Sequence, residues 1–251
     1  MKNRVLVGIG VFVVMVLMCL HSIAFTIGIS LLTLITLHET KTCRREAYPL
    51  LLLCAGSLLA INFLWQPWLC LVIILDCSIN DSLAYFGGTI WTKVLKRTSA
   101  PLAPTISPNK TVIGFVCGLL GGVVCFPLLI YLGQCIFPPY QIPFTFTTVL
   151  DFIVPAFCCN ILAPQGDLLF SSFKRKLKIK DYSNLLGGHG GITDRLASWT
   201  LVAPFMLVFL SCYNHGYQLP TIFIILGCFV NLESGSNIWL IINRNLIKRQ
   251  Q

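Results

Sequence analysis

The amino-acid sequence predicts an all-α polytopic membrane protein with about eight transmembrane helices and two cytoplasmic loop segments that form the site. Three observations carry this expectation. The chain is 56% hydrophobic with a mean hydropathy of +0.81, and its apolar runs recur near the ~20 residues that cross a hydrocarbon core as helix. The Lys and Arg residues segregate into alternate connections between those runs. No stretch shows the alternating ~10-residue pattern of a transmembrane barrel.

The predicted spans are 5–20, 23–38, 47–64, 67–86, 112–133, 144–164, 199–213 and 219–234. The first two come from one uncharged run, Val5 to Leu37. Its 33 residues would make about 50 Å of helix, too long for one crossing or for the core of a secretory signal. Two short helices turning near His21 and Ser22 resolve the excess. Leu64 to Pro67 joins the third span to the fourth. The fifth carries Gly114, Gly118 and Gly122 at a spacing that suits close helix contact, internal packing being the expected use. The sixth ends at a Pro-Gln-Gly turn before Asp167, and Asn214 to Gln218 separates the last two. Residues 1–251 read as a single membrane domain with no soluble domain attached.

The basic residues fall at Lys2 and Arg4, at Lys41, Arg44 and Arg45, from Lys93 to Lys110, from Lys174 to Arg195, and from Arg244 to Arg249. All these segments share one parity, and the opposite turns carry no Lys or Arg. By the positive-inside rule both termini and both long polar segments are cytoplasmic. The net charge of +9 then reports contact with anionic lipid and not with nucleic acid. Most of the twelve cysteines lie inside apolar runs, where Cys is a small hydrophobe. No pair of CxxC motifs exists, which argues against a zinc cluster.

Two polar segments, 81–111 and 165–198, hold the candidate chemistry. Pro101, Pro104 and Pro108 prevent a continuous helix in the first and suggest a fixed loop over the membrane surface. Within the second, Gly166 to Arg195 hold three of the nine acidic residues and six of the eighteen basic ones. Asp, Lys, Arg, Ser, His and clustered Gly are the residue types that handle phosphate and divalent metal. If helical, the stretch puts Asp167, Ser171 and Lys174 on one face. A juxtamembrane basic helix lying on lipid headgroups is the alternative use of the Lys/Arg run. Four glycines surround His189, and Asp194-Arg195 opens the next apolar helix. That loop suits close approach of backbone amides to an anion, or else serves as a hinge with Asp194 as helix cap. Asp76 and Asp151 lie within spans and should face the bundle interior, a wet cavity or an interface, Asp76 at the entrance to the same site and Asp151 near the far interface.

These residues resemble the integral-membrane phosphatidate cytidylyltransferases, also called CDP-diacylglycerol synthases. That family's signature opens with Ser, x, apolar, Lys-Arg, and here Ser171, Lys174-Arg175, Lys180-Asp181, His189-Gly190-Gly191, Ile192 and Asp194-Arg195 follow in register. Asp81 to Phe86 is similar to the family's Asp-Thr-Gly-Ala-Tyr-Phe block. Ile106 to Thr111 is similar to its Ile-Ser-Pro-Lys-Lys-Thr block, and Gly166-Asp167 to its Gly-Asp element. The signature-bearing region covers 81–198. One departure stands out: the closing acid of the signature is Ala197 here, followed by Ser198.

The resemblance implies transfer of CMP from CTP to phosphatidate, giving CDP-diacylglycerol and pyrophosphate, in a bacterial-type inner membrane. It implies magnesium held by Asp167, Asp194 and Asp81, with a second metal ion left open. Lys174, Arg175, Lys180, Asp181 and Arg195 are the expected catalytic groups. Ser107, Asn109, Lys110, Thr111, Ser171, His189, Gly190 and Gly191 are expected around nucleotide and phosphate. CTP, phosphatidate and the bilayer are the implied partners, a homodimer stays open, and nucleic acid is not expected. Another CTP-dependent lipid transferase, an inactive homologue lacking the acid at Ala197, and a membrane transporter are the alternatives.

Overall fold

The computed structural model describes residues 13–137, 146–183, 185 and 190–214. His189, the predicted eighth span and the first half of the first lie outside them. Residues 13–19 are helical (α1), followed by α2 (Ser22–Glu39), a 3-10 turn (Lys41–Cys43), α3 (Arg44–Leu64) and α4 (Pro67–Thr89). A π-helical turn (Ile90–Val94) leads to strands β1 (Pro101–Ala103) and β2 (Ser107–Thr111). Then come α5 (Val112–Ile136), α6 (Phe146–Lys176), the one-turn α7 (Thr193–Leu196) and α8 (Trp199–Asn214). Among the described residues five helices are long and apolar enough to cross a membrane, and α8 is a shorter apolar one. The protein is an all-α membrane protein with one small hairpin added.

Local chemistry starts and stops these helices where the sequence provides it. His21 breaks α1 from α2, its Nδ1 accepting from the Ile23 N–H at 3.3 Å. Pro67 opens α4 at its first turn, where a missing N–H costs nothing. Thr111 caps α5, its Oγ1 accepting the Gly114 N–H at 3.1 Å. At the end of α6, Ile179 N–H donates to Lys174 O (3.0 Å) and Lys178 N–H to Arg175 O (3.1 Å), with Lys178 at φ 57°. That is a Schellman ending without its usual glycine.

Two predicted boundaries are corrected. The predicted span 67–86 holds and runs on to Thr89, so the aqueous segment does not begin at Asp81: no residue before Gly87 stops the helix, and the Gly87-Gly88 pair packs directly against α5. The polar segment 165–198 likewise begins inside α6, which runs through Pro164-Gln165-Gly166 to Lys176. At about 1.5 Å per residue its 31 residues reach roughly 46 Å, well beyond a core about 30 Å thick. Gly166 therefore makes no turn. A Cβ there would lie 2.5 Å from the Ala197 carbonyl oxygen, so the glycine admits the segment leading into α8 against α6.

The prolines 101, 104 and 108 do exclude helix. They give an antiparallel hairpin in which Pro101 pairs with Thr111 and Ala103 with Ser107. Ala103 and Ile106 bury against Leu168, fixing the hairpin on α6.

Helices α4, α5 and α6 form the packed centre. Gly114, Gly118 and Gly122 are buried on α5, and Cβ atoms added at Gly114 and Gly118 would lie 2.6 Å from Ala84 O and Asn80 Oδ1 respectively. The predicted internal packing of this row is what the structure shows. Between these helices lies a buried polar chain. Asn160 Nδ2 donates to Asp76 Oδ2 (3.1 Å) and Asn80 Nδ2 donates to Asn160 Oδ1 (2.6 Å). Asn80 Nδ2 also reaches the Asn160 backbone carbonyl at 3.0 Å. That carbonyl has lost its helical donor, because Pro164 stands four residues on and carries no N–H. Asp76 thus faces the bundle interior, 1% exposed and bonded to Asn160, and is not at an entrance.

The chain divides into two compact units, 1–207 and 208–251. Every group discussed below belongs to the first; the described part of the second is the end of α8, with Phe209 stacked on Tyr213.

Candidate active site

Along the C-terminal half of α4 the bundle opens into a cavity of about 570 Å³. The α4 helix contributes Asn80, Asp81 and Tyr85, the π turn Thr92 and Lys93, the hairpin Asn109, Lys110 and Thr111, and α6 Asp167. Five groups singled out in the sequence therefore share one chamber: Asp81, Asn109, Lys110, Thr111 and Asp167. Lys110 is ion-paired with Asp167. Lys110, Asp167 and Arg195 lie within electrostatic reach of Asp81, whose Oδ2 accepts from Ser198 Oγ at 3.4 Å.

A second cluster sits beside the first, under the signature turn. Asp194 Oδ1 takes Lys174 Nζ at 2.8 Å, and its Oδ2 takes the Gly191 N–H (2.9 Å) and the Tyr182 N–H (3.2 Å). Gly190, at φ +79°, makes the turn that presents this amide; a Cβ there would meet Asp194 Oδ2 at 2.7 Å. Tyr182 lies under the Lys174 ammonium, 5.8 Å from ring centroid to Nζ, and its hydroxyl donates to Phe170 O. Burial, with the acidic groups of Cys43 and Asp194 nearby, pushes the Tyr182 phenol well above its usual range, so it stays neutral.

The remaining predicted residues are scattered. Arg175 Nε donates to Ile106 O at 3.0 Å, tying the hairpin turn to the end of α6. Lys180 and Asp181 are exposed, Ser171 is buried within α6, and Ser107 opens β2 opposite Ala103. Ala197, in place of the expected acid, is 2% exposed in an apolar cluster with Cys43, Ala47, Leu51, Phe170 and Phe173. Its side chain does not line the cavity.

Magnesium is met by one or two carboxylates plus phosphate oxygens and water. The paired carboxylates Asp81 and Asp167, in one open chamber, fit that donor set. Asp194 is not gathered with them: both its oxygens are already engaged by an ammonium and two amides. Among the described residues no group of three or more His, Cys, Asp or Glu side chains could hold a metal unaided. The expected trio is thus a pair and a separate ion pair.

Four residues carry weight that the sequence reading did not assign. Asn80 and Asn160 are polar residues in apolar helices on either side of Asp76, a signal that buried intramembrane polarity should have raised. Lys93 joins the cavity through the π turn, which no periodicity announces. Glu39, at the end of α2, reaches the signature turn across the fold, and nothing near it in sequence points there.

Fold and site together define a polytopic membrane protein with a polar chamber lined by two carboxylates and two ammonium groups. Comparison with known proteins makes the class specific. Residues 59–213 match the model of the cytidylyltransferase family, and the chain belongs to that family. A phosphatidate cytidylyltransferase of Staphylococcus saprophyticus is 36% identical over 132 residues, covering 53% of this chain and 45% of the relative. Another from Aquifex aeolicus is 37% identical over 134 residues, covering 53% and 44%. One from Rickettsia felis is 35% identical over 144 residues, covering 56% and 58%. The chain spans about half the length of the curated relatives it matches.

Proposed function

We propose that this protein transfers CMP from CTP to phosphatidate, releasing pyrophosphate and leaving CDP-diacylglycerol in the membrane. The observation that carries the reading is the chamber itself. It gathers Asp81, Asp167, Lys110 and Lys93 beside a surface on which Tyr85 and Phe86 of α4 and Ile90 of the π turn are exposed. A water-soluble nucleotide and a lipid phosphate can meet there. The distribution of basic connections supports a chamber that opens on the cytoplasmic side, where CTP and magnesium are present.

The reaction needs little proton transfer. The phosphate monoester of phosphatidate has a second pKa near 6, so at neutral pH an oxygen of the dianion is ready to attack the α-phosphorus of CTP. The new P–O bond forms as the bond to pyrophosphate breaks. The protein's work is to position the two phosphates and neutralise their charge. Asp81 and Asp167 would hold magnesium, which supplies charge neutralisation to the nucleotide phosphates when bound. Lys110 is placed to exchange its contact with Asp167 for a phosphate oxygen, and Lys93 also lines the chamber. Arg195 presents a planar donor set next to Asp81, suited to bidentate phosphate contact. Asn109 and Thr111 would border the nucleotide. The position of Ala197 in the apolar cluster supports an active protein despite the missing acid.

Purified protein in mixed lipid micelles with labelled CTP, phosphatidate and magnesium should release pyrophosphate and form a labelled lipid. Asp167→Ala should lower the rate by about 10²-fold or more, as loss of a charge-stabilising group does. Absence of lipid-dependent pyrophosphate release by the parent chain would refute the proposal. Ether-lipid and polyprenyl phosphates as competing acceptors test the choice of lipid.

A further inference from the structure

We infer that Glu39 is a positioning residue for the signature turn, supplied by a helix outside the residues that match the family. The inference rests on the proposed function for its catalytic meaning, but the contact stands on its own geometry. Glu39 ends α2, ahead of the matched span 59–213. Its Oε1 accepts from Ser183 Oγ (2.5 Å) and the Ile192 N–H (3.0 Å). Its Oε2 accepts from the Thr193 N–H (2.8 Å) and Thr193 Oγ1 (2.7 Å). Four donors from two separated parts of the signature converge on one carboxylate, and no Lys or Arg is among them.

This convergence has three structural consequences. First, it ties Ser183 to Ile192 and Thr193 through one carboxylate. Second, it explains the second glycine of the Gly190-Gly191 pair: a Cβ at Gly191 would lie 2.7 Å from both Glu39 oxygens and 2.8 Å from Ser183 Oγ. The glycine is needed because the carboxylate occupies the space. Third, it sets the direction of the next two residues. With the amides of Ile192 and Thr193 held from one side, Asp194 receives the Gly191 N–H and Lys174, and Arg195 lies toward Asp81. A shift of the turn would move the Arg195 charge relative to Asp81, and displacements near 1 Å can cost about 10²-fold in rate.

A carboxylate is the group this position demands. Gln in its place has one acceptor oxygen where four donors point, and its NH2 would oppose two of them. Asp keeps both acceptors on a stem shorter by one methylene. The variants Glu39→Gln and Glu39→Asp in the full chain therefore separate charge and acceptor number from simple packing. Ser183→Ala, which removes a single donor, serves as a milder variant should Glu39→Gln fail to fold.

Two measurements decide the matter. In hydrogen exchange of the parent without substrate, the Ile192 and Thr193 amides should be protected, and in Glu39→Gln they should exchange at least about tenfold faster, with smaller effects in Ser183→Ala. In the CMP-transfer assay, Glu39→Gln should lower kcat roughly 10- to 100-fold with KM for CTP changed less than about threefold, and Glu39→Asp should recover part of the loss. Unchanged exchange at these two amides overturns the clamp, whatever the activity. Faster exchange with unchanged kcat overturns the positioning role. A parent that is inactive yet shows the exchange result refutes the proposed function and leaves the clamp standing.

Discussion

Replacing Lys174 by Met separates two uses of the signature's charges. Lys174 Nζ lies 2.8 Å from Asp194 Oδ1, with the two side chains 12% and 9% exposed. At an effective dielectric constant near 20 the attraction across that distance is about 6 kcal/mol. Desolvation offsets much of it, and the Gly191 and Tyr182 amides remain as donors to Asp194 after the ammonium is gone. A net cost of about 2–3 kcal/mol follows, below the ~3–5 typical of a fully stranded buried charge. For a chain of this size each kcal/mol moves the unfolding midpoint by about 2–4 °C, so Lys174→Met should lower it by roughly 5–10 °C in detergent. The assay is thermal unfolding followed by tryptophan fluorescence for Lys174→Met, Asp194→Asn and the double variant. Removing both charges should cost less than the sum of the single losses, with a coupling of about 1.5 kcal/mol or more. An unchanged midpoint in Lys174→Met, or additive losses, would show that the pair does not hold the turn and that Lys174 is free to serve substrate phosphate alone.

Two further outcomes are expected. Asn160→Ala strips Asp76 of its donor and removes one acceptor from Asn80; with membrane hydrogen bonds worth ~0.6 kcal/mol and stranded polar groups ~1–3, it should destabilise by about 2–3 kcal/mol in the same unfolding assay, and a change under about 0.5 refutes the network's importance. Ala197→Asp restores the signature's acid but buries it among Phe170, Phe173 and Leu51; it should lower the unfolding midpoint without raising CMP transfer, and a variant that is as stable and more active than the parent overturns the placement of that side chain.

The membrane architecture was legible because hydrocarbon imposes length and composition on any helix that crosses it. Five of the predicted spans coincide in their cores with helices long and apolar enough to cross. The ends were less legible. Gln165 to Lys176 looks like a loop because it is polar, yet a helix does not stop at a change of polarity; it stops at a cap or a breaker, and none is present before Lys178. Pro164 was read as a break, whereas a side chain from another helix takes up the carbonyl it frees. In the site, local blocks singled out Asp81, Lys110, Asp167, Lys174 and Asp194, of which one chamber gathers Asp81, Lys110 and Asp167 while Lys174 and Asp194 form an ion pair. How they divide between chamber and ion pair depends on tertiary packing. Glu39 was illegible for the same reason: its partners stand about 150 residues away in the chain.

The bond from Asn80 to the carbonyl freed by Pro164 acts as a splice between two rods. Helices that meet only through apolar side chains can slip or tilt against each other as a bilayer thins and thickens. Here α4 and α6 are pinned in register, and Asp81 lies one residue beyond the pin on one rod while Asp167 lies three residues beyond Pro164 on the other. The spacing of the two carboxylates is thereby set by backbone geometry inside the bundle and insulated from the thickness of the surrounding lipid. Such a chamber keeps its shape while the membrane around it changes in composition, a useful property where the proposed product itself enters that membrane.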